Sequence, residues 1–163
     1  MASLEIKKFN EPVLRKKCKE VEEITPDIKE LVLNMTETMK KKQGVGLSAP
    51  QVGISKKIII VLSNLENSEV LRLINPKIIK KSNETEIEEE GCLSFPAIYL
   101  KIRRAKEVEV EGLDIDGKKI KIKAKGILAR IFQHEIDHLD GILFFNRLNF
   151  FEKIKFRIKH PFI

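Results

Sequence analysis

The sequence has no tryptophan, one tyrosine and only two cysteines among its 163 residues. Two cysteines cannot build the disulfide framework that holds small secreted domains together, so we expect both thiols to be reduced. No apolar run approaches the roughly 18 residues that a membrane-spanning helix requires. Residues 1–10 also lack the continuous apolar block of a secretory signal. We therefore expect a cytoplasmic protein with no membrane partner.

Length and composition predict one folded domain over residues 1–163. With 42% hydrophobic and 34% charged residues, the chain is apolar enough to form a core and too mixed in charge for an ordinary disordered tail. The formal net charge of +7 suggests an acidic partner such as nucleic acid. A general lysine bias in composition explains the same charge, so composition alone does not separate these interpretations.

Hydrophobic periodicity predicts an N-terminal helix followed by strands. Thr25 and Pro26 form a helix start, and apolar residues at helical spacing extend that helix to about residue 42. Segments 57–62 and 70–74 are apolar runs typical of buried strands, and the Asn-Pro pair after the second is expected to end it.

Two alternating segments, 107–113 and 119–124, predict an antiparallel hairpin. Aliphatic residues alternate with Glu in the first segment and with Lys in the second, and an Asp-Gly turn lies between them. Pairing places glutamates opposite lysines on one face. We interpret the lysines as a solvated, self-neutralised sheet face, and we expect no specific DNA partner.

A second helix is predicted from Gly126, and its apolar face carries two histidines. Strands followed by one buried helix give an α+β fold, with antiparallel sheets packed around this central helix. A short C-terminal helix is expected from about Asn149. Its residues Phe151, Ile154 and Ile158 share one side, which we expect to dock on the domain.

His134, Glu135 and His138 form an H-E-x-x-H motif on the central helix. A spacing of four places both imidazoles over the same turn, where they can bind one cation. Glu135 lies beside them, as a general base for hydrolysis requires. The alternative is a pair of hydrogen-bonded core histidines. The chain holds three histidines in all, and the presence of two in this motif favours a metal site.

A site with two histidines needs a third protein ligand and an open position. Cys92 offers that ligand, since Gly91 before it lets the backbone approach closely after a strand. A lone cysteine is otherwise a small buried hydrophobe, so the residues alone leave both interpretations open. Cys18 is given no role.

The segment 44–51, G-V-G-L-S-A-P-Q, is rich in glycine but lacks the G-K-[ST] ending of a phosphate-binding loop. A glycine-flanked strand edge can pair with an extended peptide, and the amide of Gln51 can donate to an oxyanion. Three segments, in this order, resemble those of the peptide deformylases: G-V-G-L-S-A-P-Q, E-G-C-L-S and Q-H-E-I-D-H. The resemblance covers residue 12 to about residue 145.

The resemblance implies a metal held by Cys92, His134 and His138, with Glu135 as acid and base. It implies Fe²⁺, although the ligand set also suits Zn²⁺, Ni²⁺ or Co²⁺. The implied reaction removes the formyl group from N-formylmethionyl peptides and nascent chains and releases formate. Gln51 is implied as one oxyanion donor.

The resemblance also assigns supporting and substrate-binding residues. The backbone N–H of Leu93 is implied as the second oxyanion donor, and Glu90 and Arg104 as a supporting pair behind the site. The implied contacts of the peptide and its methionine side chain are Val45, Gly46, Gly91, Ile127, Arg130 and Ile131.

Two other functions are compatible with parts of the sequence. A metalloendoprotease shares H-E-x-x-H, but those enzymes usually take a third ligand from downstream, whereas Cys92 lies upstream. A basic nucleic-acid-binding module with a structural metal would need a closed site of four ligands. For the tail, residues 147–163, a solvated terminal helix and a transient ribosome contact both remain open.

Overall fold

The computed structural model describes residues 3–64 and 68–163; residues 1–2 and 65–67 of the predicted domain lie outside this description. The helices are α1 (Pro26–Lys41), α2 (Gly126–Leu139) and α3 (Phe150–Lys159). The strands are β1 (Gly46–Ser48), β2 (Ile58–Asn64), β3 (Glu69–Lys81), β4 (Thr85–Cys92), β5 (Phe95–Ala105), β6 (Glu107–Leu113) and β7 (Lys119–Lys125). Short 3-10 turns span Pro12–Arg15, Ala49–Val52 and Phe144–Arg147.

The strands form two antiparallel sheets, as the α+β prediction requires. Five strands pair in the order β1-β2-β3-β6-β7, and β4 and β5 form a separate two-stranded sheet. In the β6–β7 hairpin, Glu109 lies opposite Lys123 and forms an ion pair with Lys121 at 3.0 Å. This confirms the predicted solvated face of opposite charges.

Strand β2 is buried on both faces, which explains its continuous apolar run. On one face Ile58 and Ile60 pack in a cluster with residues of α1, including Met35. On the other face Ile59 packs in a cluster with Phe132 of α2. The five-stranded sheet is thus covered by α1 on one side and by α2 on the other. Within residues 3–64 and 68–163, no helix combines the length and the apolar character needed to cross a membrane.

Strand β3 does not end at the Asn-Pro pair, and that expectation was wrong. It continues to Lys81, and its register with β6 shifts between Ile74 and Lys77. Because of this shift, Pro76 does not have to donate a hydrogen bond to the neighbouring strand. The side chain of Asn75 both donates to and accepts from the backbone of Val21, at 2.9 and 2.8 Å. These bonds fix the irregular segment.

Helix α3 docks through the side opposite to the expected one. Phe151 and Ile158 are 74% and 76% exposed, whereas Phe156 is buried. The Phe156 ring stacks on Phe145 with centroids 5.3 Å apart, and it packs with Ile102. One aromatic stack, which helical spacing does not reveal, therefore decides which side of the helix faces the domain.

Replacing Phe156 with alanine should lower the free energy of unfolding by about 3 kcal/mol, because it leaves a cavity in this cluster. Ile158→Ala removes a large apolar side chain from the exposed side and should change stability by no more than about 0.5 kcal/mol. Urea unfolding of both variants provides the measurement. Equal losses would mean that both sides of α3 contribute to stability.

Candidate metal centre and active site

Helix α2 packs against strands of both sheets and carries the H-E-x-x-H residues into the interior. His134, Glu135 and His138 are all buried. Cys92 ends β4 of the smaller sheet and reaches the same point from the other side. The structure therefore brings together groups from two elements that lie far apart in the sequence.

The donor atoms of Cys92, His134 and His138 converge, all lying within 4.8 Å of one another. The Sγ atom of Cys92 is 3.4 Å from Nε2 of His138. Burial lowers the pKa of His138 well below its usual value, which favours the neutral imidazole that binds cations. One thiol and two imidazoles are a donor set suited to a divalent transition metal, so these residues fit one such ion.

Glu90 fixes the orientation of His134. Its Oε2 lies 2.9 Å from Nδ1 of His134, which leaves Nε2 of that ring for the cluster. Arg104 binds both carboxylate oxygens, donating from Nε at 2.8 Å and from Nη2 at 3.0 Å. Burial would raise the pKa of Glu90, but the hydrogen bonds from His134 and Arg104 outweigh it and lower the pKa to about 2.

The ion network behind the site extends to residues that the sequence analysis missed. Asp137 accepts from Nη1 of Arg104 at 2.5 Å and from Nε of Arg147 at 2.9 Å. Arg130, which was expected only as a substrate contact, also joins this network and donates to Glu90 at 2.9 Å. Asp137 lies inside the H-E-I-D-H segment. An acidic residue within a buried helical motif was the one signal in the sequence that could have indicated its role in the network. Nothing local identified Arg147 as its partner.

Hydrogen bonds fix the direction of the Gln51 amide. Its Oε1 accepts from the backbone N–H and from the hydroxyl of Ser48, both at 2.9 Å. Its Nε2 therefore points the other way, 3.4 Å from Sγ of Cys92 and 3.3 Å from Oγ of Ser94. The N–H donors of Gln51 thus face the Cys-His-His cluster.

Glu135 lies against the backbone of β1. A Cβ at Gly46 would come 2.9 Å from Cδ and Cγ of Glu135, so only glycine permits this approach. The Oε2 atom of Glu135 is buried and has no hydrogen-bond partner among the described residues. Burial raises the pKa of Glu135 to about 7. A divalent cation beside this carboxylate would lower its pKa.

One cavity of about 940 Å³ opens onto these groups. Residues of the sequence-predicted set that line it are Val45, Gly46, Gln51, Glu90, Gly91, Cys92, Leu93, Ile127, Arg130, Ile131, His134 and Glu135. His138 and Arg104 are not in the lining, because they lie behind it. The guanidinium of Arg130 donates to Glu90 and, at 2.8 Å, to the carbonyl of Ile102, so its charge is already paired.

Cys18 lies outside this site. It is buried in the cluster between the five-stranded sheet and α2, together with Leu139. Burial raises the pKa of its thiol, as expected for a small core residue.

A family model described as polypeptide deformylase matches residues 3–153. The chain belongs to the polypeptide deformylase family. The peptide deformylase of Halothermothrix orenii is 51% identical over 91% of this chain and 95% of its own length. That of Thermodesulfovibrio yellowstonii is 46% identical over 98% of this chain and 97% of its own length.

Solved structures agree with the fold. The peptide deformylase of Thermus thermophilus superposes with a TM-score of 0.91 at 38% identity, covering 97% of this chain and 93% of that one. The Synechococcus elongatus enzyme in complex with actinonin gives 0.88 at 40% identity, covering 98% and 87%. Membership confirms the predicted enzyme class, a metal-dependent deformylase, and neither the endoprotease nor the nucleic-acid-binding alternative is favoured.

Replacing Cys92 with serine should weaken metal retention at least about tenfold while the fold persists, because the core forms independently of the site. Metal content per chain after dialysis against a weak chelator gives the readout. Cys18→Ser makes the same chemical change in the core and should retain metal. Equal metal loss from both variants, or from neither, would contradict Cys92 as a ligand.

Proposed function

We propose that the enzyme removes the formyl group from the N-terminal formylmethionine of newly synthesised proteins. In this proposal Cys92, His134 and His138 hold one divalent cation. Glu135 acts as the base, and Gln51 and the N–H of Leu93 donate to the oxyanion. The observation that carries this proposal is the convergence on one cavity of a Cys-His-His cluster, a buried carboxylate with one oxygen free of hydrogen bonds, and an oriented amide. Ferrous iron is the ion we propose, and the same donors accept Zn²⁺, Ni²⁺ or Co²⁺. We propose a cytoplasmic location, because nascent chains, the proposed substrates, are made there.

The bound cation would supply Lewis acidity toward a water molecule and the formyl oxygen. Glu135 accepts the proton of the attacking water and passes it to the amide nitrogen as the C–N bond breaks. Formate and a free α-amine are then released. Gln51 Nε2 and the N–H of Leu93 donate to the formyl oxygen as negative charge develops on it.

Two backbone segments are proposed to hold the peptide. Strand β1 is an edge of the five-stranded sheet, so the backbone at Val45 and Gly46 can pair with an extended chain. Gly91 faces the same cavity, and a Cβ there would meet the ring of Tyr99 at 2.9 Å. The methionine side chain would enter between Ile127, Ile131 and the aliphatic part of Arg130, which are also in the cavity lining.

The enzyme should release formate from formyl-Met-Ala-Ser, and acetyl-Met-Ala-Ser should react about 10- to 200-fold more slowly, because the acetyl methyl adds bulk at the attacked carbon. Formate and free amine are measured separately for each peptide. Comparable rates on the two peptides would indicate a broader amidase, and cleavage of an internal-peptide substrate would indicate an endoprotease.

Glu135→Gln should reduce kcat by about 10² to 10⁴, because an amide cannot accept the proton of the water. Metal content must remain stoichiometric, which separates loss of the base from loss of the ion. Turnover within a few-fold of the wild type would remove Glu135 as the base.

Ribosome contact through α3 is the finer part of the proposal. The apolar side of this helix, with Phe151 and Ile158, faces away from the domain. Lys155, Arg157 and Lys159 are exposed on the same helix, beside a single acidic residue, Glu152. This combination suits a partner that presents phosphates beside apolar protein surface, as a ribosome does.

Changing Lys155, Arg157 and Lys159 together to glutamine should reduce cosedimentation with ribosomes, and the wild-type binding should weaken steeply with added salt. The matched control changes Lys119, Lys121 and Lys123 on β7, which removes the same charge from a self-neutralised face. Equal cosedimentation of both triple variants would exclude α3 as the contact. Formyl-peptide turnover should be unaffected in both.

A further inference from the structure

The two proposed oxyanion donors stand on different sheets. Gln51 lies in the 3-10 turn that follows β1 of the five-stranded sheet. Leu93 lies in the tight turn between β4 and β5 of the smaller sheet. Neither sheet alone can therefore set the distance between the Gln51 amide and the N–H of Leu93.

Residues 7–9 run across both of these turns. The backbone N–H of Lys7 donates to the carbonyl of Gln51 at 2.8 Å, and the N–H of Phe9 donates to the carbonyl of Ser94 at 3.1 Å. Between them, Nζ of Lys8 donates to the carbonyl of Leu93 at 3.2 Å. Three consecutive residues thus bind one turn at one end and the other turn at the other end.

The segment is itself anchored on both sides. Ile6 is buried in the cluster that includes Met35 of α1. The ring of Phe9 lies 5.8 Å from the ring of Phe95, in the cluster with Leu14. The packed side chains of Ile6 and Phe9 therefore fix this segment at its two ends. We refer to residues 7–9 as the strap.

We propose that residues 7–9 are a positioning element that holds the Gln51 amide and the Leu93 N–H at the separation that the oxyanion requires. This inference rests on the proposed function of those two donors. Oxyanion donors act at about 2.7–3.1 Å from the developing charge, so small shifts between the two turns are costly. Because that charge exists only in the transition state, weakening the strap should lower kcat and leave KM nearly unchanged.

The first test removes a backbone donor. Lys7→Pro eliminates the N–H that binds Gln51, whereas Lys7→Met removes the same side chain and keeps the N–H. With formyl-Met-Ala-Ser as substrate, kcat of the proline variant should be at least about fivefold below that of the methionine variant, with KM within about twofold. Metal content must be equal in both.

The second test uses the side chain of Lys8. Lys8→Met keeps the length of the chain and removes the donor to Leu93, so kcat should fall about two- to fivefold at unchanged melting temperature and metal content. Lys8→Arg keeps a donor and should restore kcat. Lys17→Met removes the same charge from another exposed position and should behave as the wild type. This pair decides the question if Lys7→Pro fails to fold.

The inference would be overturned if kcat of Lys8→Met equalled that of the wild type within experimental error while Lys7→Pro either had the same kcat as Lys7→Met or failed to fold. A loss of kcat that follows a loss of metal in proportion would also overturn it, because the segment would then support the fold alone. Wild-type protein that releases no formate would refute the proposed function itself, which is a distinguishable result.

Discussion

The buried carboxylate of Glu90 ties together the elements that carry the site. It stands on β4 and accepts hydrogen bonds from Arg104 on β5 and from Arg130 on α2, and it pairs with His134 on the same helix. Burying a charge costs several kcal/mol, so the arrangement is stable only when all the partners are in place. Removing one partner from such a group typically costs about 3–5 kcal/mol. The small sheet and α2 are therefore held in one relative position.

This constraint reaches the proposed metal ligands by two routes. His134 is oriented directly, because the bond to Glu90 through Nδ1 commits Nε2 to the cluster. Cys92 follows Glu90 by two residues on β4, so the ion pair that fixes β4 also fixes the thiol. Arg104 extends the same network to Asp137, one residue before His138. All three proposed ligands thus lie within two residues of a member of one ion network.

The sequence predicted the local parts of this architecture and missed those that depend on distant contacts. The H-E-x-x-H pair, the β6–β7 hairpin and α1 follow from spacing within a few residues, and the structure reproduces them. The continuation of β3 depends on a register shift against β6. The docked side of α3 depends on the stack between Phe156 and Phe145, which pairs residues on two different elements. Periodicity carries no information about either contact.

The site residues show the same division. Cys92 could be suggested as a ligand only from its neighbouring glycine, and the resemblance to a family supplied the rest. Arg130 was expected in the cavity lining, and it is there, but its ion pair with Glu90 was not foreseen. Arg147 comes from the 3-10 turn before α3 and meets Asp137 only in the folded chain.

Close packing between β1 and α2 couples substrate position to the proposed base. Gly46 has no side chain, so the carboxylate of Glu135 lies directly against the backbone of this edge strand. A peptide paired with β1 would be positioned by the strand that also contacts Glu135. Any side chain at residue 46 would push Glu135 and the strand apart, so glycine here would preserve the distance between the proposed base and a peptide paired with β1. In the proposed reaction, the base would then be positioned by contact with a strand backbone, which is more rigid than contact between two long side chains.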